Sequence, residues 1–198
     1  MSRGLGFAPR EEHVKRFARL SAMAWGVTLA TWTALAAVTT MPGASAALDT
    51  ADASIPVNPT DTLEVHATAN CVRAENQCYF TAAANLRTPQ GPIGFPNDLW
   101  ARQTTTLRSM DRNVYLDSDF AAENTRMFKS IGPIEFTTIY FGGGPVEKYQ
   151  LRGTTWPTDW ATGQPKLDAD YIVCSHIQVV YAGVNLTSPD ACAQTTFG

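Results

Sequence analysis

The stretch IEFTTIYFGGGPVEKYQLRG, residues 134–153, decides how this chain is read. Its first eight residues alternate, with Ile134, Phe136, Thr138 and Tyr140 on one side and Glu135, Thr137, Ile139 and Phe141 on the other. A period of two belongs to a β-strand, whose successive side chains point to opposite faces. VEKYQLR (146–152) resumes the alternation with Glu147, Tyr149 and Leu151 on a shared face. Between the two runs, glycine supplies positive φ and Pro145 removes a backbone donor, so the spacing predicts a β-hairpin turning on FGGGP.

Two catalytic readings of the glycine run fail on its neighbours. A phosphate-binding loop needs GxxxxGK, then Ser or Thr, then a helix, whereas here Pro145 and a second strand follow. An esterase oxyanion loop places histidine before the glycines, where this chain has Phe141, and it needs a Gly-x-Ser-x-Gly nucleophile that residues 47–198 do not contain.

Outward from this stretch, runs rich in Val, Ile, Tyr, Phe and Thr recur between turn residues: 63–69, 77–83, 99–109, 112–116, 134–141, 146–152 and 171–184. Short strands at this spacing predict an all-β fold, an antiparallel β-sandwich or barrel-like sandwich of about seven to eight strands, as a single domain over 63–198. ANLRTPQGPIGFPND (84–98) is the longest turn-rich connection. Residues 47–62 show no hydrophobic period and carry Pro56 and Pro59, which predicts an extended or disordered leader.

Residues 1–46 have the order of a secretory signal. Arg3, Arg10, Lys15, Arg16 and Arg19 precede an uncharged, helix-forming stretch, and Pro42-Gly43 breaks it ahead of Ala44-Ser45-Ala46. Cleavage is expected after Ala46, and the protein is expected in the cell envelope or outside the cell. The alternative is a retained anchor over Leu20 to Met41, about 33 Å long at the helical rise and so able to span a bilayer, with the domain outside. With 1–46 removed, ten basic residues face sixteen acidic ones. An acidic surface repels phosphate backbones and anionic lipid, so neither nucleic acid nor, once the signal is gone, membrane is an expected partner.

Four cysteines, Cys71, Cys78, Cys174 and Cys192, make two disulfides the simplest expectation for an exported chain. Three pairings are open, and local loop closure favours Cys71–Cys78 with Cys174–Cys192. The spacings lack the tight C-x-x-C pairs of a zinc site, and no metal or other cofactor is expected.

Catalytic arrangements are sparse. His66 and His176 both fall inside strands, and in Cys174-Ser175-His176 the serine faces away from its two neighbours. Ser109, Ser118 and Ser130 are the other candidate hydroxyls. The Asp-x-Asp pairs Asp117/Asp119 and Asp168/Asp170 read as turn residues. If they converged on one cleft they would suit an envelope hydrolase instead. TTWPTDWATGQP (154–165) reads as a loop carrying Trp156, Asp159 and Trp160, and flat aromatics with a polar edge suit a sugar ring or a protein surface. The expectation is therefore a non-catalytic exported protein that binds an envelope or extracellular glycan or protein through Trp156, Asp159 and Trp160.

Overall fold

The computed structural model describes residues 46–197; of the expected signal segment only Ala46 falls within them, so both the signal helix and the anchor alternative lie outside the described residues. The strands are β1 (Ala46–Pro56), β2 (Thr62–Val72), β3 (Gln77–Thr88), β4 (Gly91–Ile93), β5 (Trp100–Arg108), β6 (Val114–Ala121), β7 (Thr125–Lys129), β8 (Ile134–Phe141), β9 (Gln150–Asp159), β10 (Asp170–Tyr181), β11 (Val184–Thr187) and β12 (Ala191–Thr196). They form two six-stranded antiparallel sheets. The first runs β1-β2-β3-β9-β6 with β4 on β3, and the second runs β11-β10-β5-β8-β7 with β12 on β10. The fold is all-β and sandwich-like, with twelve strands among the described residues where the sequence suggested seven or eight.

Alternation builds the interior. In β8 the four residues on the predicted inner side, Ile134, Phe136, Thr138 and Tyr140, are all buried. In β2, Leu63, Val65, Ala67, Ala69 and Cys71 point in and the residues between them point out. Phe80 of the first sheet stacks on Phe136 of the second with ring centres 5.4 Å apart, and Phe120 meets Phe136 edge-on at 5.1 Å. Such ring pairs add about 0.5–1.5 kcal/mol beyond the burial itself. A second apolar cluster gathers Leu63, Phe95, Tyr140, Tyr149 and Ile177.

The inner face of the second sheet also carries a polar seam. Ser175 Oγ accepts from Gln103 Nε2 at 3.1 Å and shares a 3.0 Å bond with Thr105 Oγ1, while the Tyr140 hydroxyl donates to Gln103 Oε1 at 2.8 Å. Burial pushes the Tyr140 hydroxyl well above the ordinary tyrosine value, so it stays a donor. Ser175 thus faces the core, and Cys174 and His176 face out, as the strand period required.

Five expectations are corrected. The glycine run is not a hairpin bend: β8 belongs to the second sheet and β9 to the first, so FGGGP is an arch that crosses between sheets. Its glycines answer to that crossing. Gly142 has φ +69°, and a Cβ at Gly143 would sit 2.4 Å from the Asn97 amide oxygen and 3.0 Å from the Phe95 carbonyl. Lys148 Nζ closes the arch by donating to the carbonyls of Phe141, Gly142 and Gly143 at 2.7, 3.1 and 2.8 Å. Residues 146–148, expected in a strand, form a 3-10 turn, and β9 starts at Gln150.

The expected disordered leader is instead strand β1 and a turn, so the β domain takes in residues from 46 onward. β1 pairs with β2 from Ala46↔Val72 to Pro56↔Thr62. Ala51, Ala53 and Ile55 face the core, but alanine carries too little apolar area to announce a period against the intervening Asp52 and Ser54. Asn58 then shapes the turn, its Oδ1 accepting from the amides of Thr60 and Asp61 at 2.9 Å each. The supposed loop 84–98 is largely the end of β3, paired with the short β4 through Leu86↔Ile93. The supposed loop 154–165 is β9 as far as Asp159. Pro157 fits within it because the β3 ladder stops at Cys78↔Thr155, leaving one side of β9 free of that partner.

Both disulfides take the local pairing. Cys71–Cys78 ties β2 to β3 and Cys174–Cys192 ties β10 to β12, each between directly opposed residues. The tail carrying Cys192 is therefore a strand. Two disulfides fit an extracytoplasmic location.

Candidate functional site

The β6–β9 pair at one margin of the first sheet carries the aromatic residues that the sequence singled out, together with one it did not. The register sets Asp117 opposite Trp156, Tyr115 opposite Thr158, and so places Tyr115 diagonally between Trp156 and Trp160 on the outer face. Trp156 is 37 % exposed and Trp160 66 %. The Tyr115 and Trp160 rings lie 5.7 Å apart, tilted by 58°. The backbone fixes this arrangement, since the Trp160 amide donates to the Asn113 carbonyl at 2.7 Å.

Asp159 is the anchor of the turn that presents Trp160. Its Oδ1 accepts from the amides of Ala161 and Thr162 at 3.0 and 2.9 Å and from the Thr162 hydroxyl at 3.1 Å. The bonds from Thr162 hold its carboxyl below the usual range, so the turn keeps a charged acceptor. Lys166 Nζ stands among three carboxylates, 3.9 Å from Asp111, 3.9 Å from Asp159 and 3.1 Å from Asp168.

On the other side of Tyr115 lies Lys129, delivered by β7 of the second sheet. Its Nζ is 4.6 Å from the centre of the Tyr115 ring and donates to the Tyr115 hydroxyl at 2.7 Å and to Asp117 Oδ1 at 2.5 Å. Burial works against the lysine charge but is outweighed by these bonds, and its ammonium is held above the ordinary lysine value. The hydrogen bond from Lys129 in turn holds Asp117 below the usual carboxylate range. Between Trp160 and Tyr115 on one wall and Ile131 and Pro133 on the other opens a groove of about 490 Å³, whose polar lining comes from Ser109, Asp111 and Arg112. Ile131 is 94 % exposed at its lip.

The remaining candidates have structural partners. Asp170 accepts from the Ser109 hydroxyl at 2.7 Å and from the Met110 amide, Asp119 takes the Phe120 amide at 2.8 Å, and Asp168 pairs with Lys166. Ser118 donates to the Thr154 carbonyl at 2.9 Å and Ser130 to that of Pro133 at 3.1 Å. His66 bridges Asp52 Oδ1 at 2.5 Å and Asn85 Oδ1 at 2.7 Å across β1, β2 and β3. His176 pairs with Asp190 at 2.8 Å. Among the described residues no group of three or more His, Cys, Asp or Glu is placed to hold a metal ion.

Tyr115, Lys129, Arg112 and Asp111 were missed because strand pairing, not sequence proximity, brings them to the tryptophans. The alternation in RNVYL does put Tyr115 on the opposite face from Val114 and Leu116, which was the one available hint. Comparison of the chain with protein-family models and with curated proteins finds no match.

Proposed function

We propose that this protein is an exported, non-catalytic binding protein of the cell envelope or extracellular space, and that it takes a glycan over the rim formed by Trp156, Tyr115 and Trp160. The observation that carries this reading is the exposed Trp160 ring set beside Tyr115 on a groove with apolar and polar walls. A sugar presents both kinds of surface: its C–H faces pack on an electron-rich ring, and its hydroxyls need donors and acceptors at the edge, here Arg112, Asp111 and Ser109. Held on paired strands and, for Trp160, on the turn anchored by Asp159, the rings lose little freedom when a ligand arrives. A protein ligand at the same rim is the competing occupant.

The test is the mature protein with both Trp156→Ala and Trp160→Ala, measured for retention by extracted envelope glycans and for thermal stability. Retention by the unmutated protein, lost in the variant with little change in melting temperature, is the expected result. No retention by the unmutated protein would end the glycan reading.

A further inference from the structure

Each disulfide bridges two adjacent antiparallel strands, but the two sit in different surroundings. Cys71 and Cys78 are wholly buried and belong to the main apolar cluster. Cys174 and Cys192 lie on the outer face of the second sheet, where Cys192 is exposed and Cys174 half-buried. Two residues along β10 from Cys174, on the same face, stands His176, whose imidazole Nδ1 is 2.8 Å from the carboxylate of Asp190, the residue just ahead of β12. Two residues along a strand is about 7 Å, so an imidazole oriented by a carboxylate stands in the neighbourhood of an open disulfide.

We propose that Cys174–Cys192 is a thiol-exchange site addressed by an external dithiol, with the His176–Asp190 pair handling the proton, while Cys71–Cys78 stays oxidised. Exchange requires a thiolate that can reach a disulfide sulfur, and exposure separates labile disulfides from sealed ones. His176 takes the proton of the incoming thiol. The thiolate attacks Sγ of Cys192, the S–S bond breaks, and its electron pair leaves on Sγ of Cys174, which receives the proton from His176. The second thiol of the reductant then displaces Cys192. Overall the dithiol becomes a disulfide and the protein gains two thiols, so electrons and protons balance.

Opening this bond acts on β12. That strand is otherwise held by its ladder with β10, by Gln194 N donating to Asp49 Oδ2 at 2.7 Å, and by Thr195 Oγ1 donating to the Ala47 carbonyl at 2.9 Å. It therefore links the second sheet to β1 at the margin of the first, and reduction leaves that link to hydrogen bonds and packing alone.

Limited reduction of the folded protein with dithiothreitol, quenched by alkylation and read by peptide mass, tests the proposal. Cys174 and Cys192 should be labelled at least about 100-fold faster than Cys71 and Cys78, because reaching the buried pair requires opening the domain. Labelling of all four together, or of Cys71 and Cys78 first, overturns it. His176→Gln and Asp190→Asn should each slow reduction of Cys174–Cys192 by about 10-fold or more and flatten its dependence on pH. Should both variants match the parent in rate and pH profile, the proton-handling role falls.

Discussion

The two inner faces of the sandwich obey the same alternation and differ in chemistry. The first sheet presents Val65, Ala67, Ala69, Phe80 and Ala82, held by packing. The second presents Gln103, Thr105, Thr138 and Ser175 amid its apolar residues, and three of these four bond to one another or to Tyr140. A one-residue slip would turn either face outward, but a two-residue slip keeps an apolar face buried at similar area. The polar seam does not survive even that slip, because it parts Ser175 from Gln103 and Thr105. One face therefore supplies affinity between the sheets, and the other supplies alignment.

The largest loss is expected at the apolar face. Phe80→Ala should lower stability by about 3–5 kcal/mol in chemical denaturation, because it removes the ring stacked on Phe136 and leaves a cavity. A loss below about 1 kcal/mol would mean that this face is not where the sheets are held.

At the polar seam, Ser175→Ala should lower stability by about 1–3 kcal/mol, since it strands the Gln103 amide and the Thr105 hydroxyl without water. Combining it with Gln103→Leu, Thr105→Val and Tyr140→Phe should recover much of that loss, because all members of the network are then apolar. If the combined variant is instead the least stable, the seam contributes net energy as well as alignment. If it is stable but gives broadened amide resonances, alignment is its main role.

The smallest effect lies on the outer face of the first sheet, where Glu64 accepts from Arg87 Nε at 3.0 Å and from Asn85 Nδ2 at 2.9 Å. Burial raises the Glu64 carboxyl, but the hydrogen bonds from Arg87 and Asn85, aided by the charges of Arg87 and His66, outweigh it and leave the group below its ordinary value of 4.5. The unfolded chain then takes up this proton first as pH falls. Its contribution is complete well above pH 4.5 and fades as pH drops through the folded value. Melting temperature measured from pH 6 to pH 3 should show a smaller acid-induced decline in Glu64→Gln than in the parent, and equal slopes would remove Glu64 from the account.

Legibility in the sequence followed side-chain size. β8 could be read residue for residue because Ile134, Phe136 and Tyr140 mark its inner side with large groups, and Thr138 did not disturb the period. β1 was hidden because alanines mark its inner side. The arch was misread for a different reason: alternation tells which residues share a face, but not which sheet a strand joins, and β8 and β9 look like hairpin partners until their neighbours are known. At the site, two aromatic rings four residues apart were visible, whereas Tyr115 enters only through the register with β9. Asp159 was visible as a polar neighbour, but its work in the turn depends on backbone amides that a sequence does not display.

The placement of β5 carries a consequence for how the chain folds. β1, β2 and β3 pair in chain order, so they can assemble, and Cys71 can meet Cys78, with only local stretches of chain present. β5 is flanked by β8 and β10, and its pairing with β10 joins Trp100 to Val180. Its second neighbour thus lies far along the chain, and a loop of that length must close before the pairing returns any stability. A fold dominated by such distant pairings belongs to the slower range, about milliseconds to seconds. During synthesis or export the hydrogen-bonding edge of β5 stays open until residues 170–181 arrive. That interval, and not the finished surface, is when strand-to-strand association between copies is most favoured.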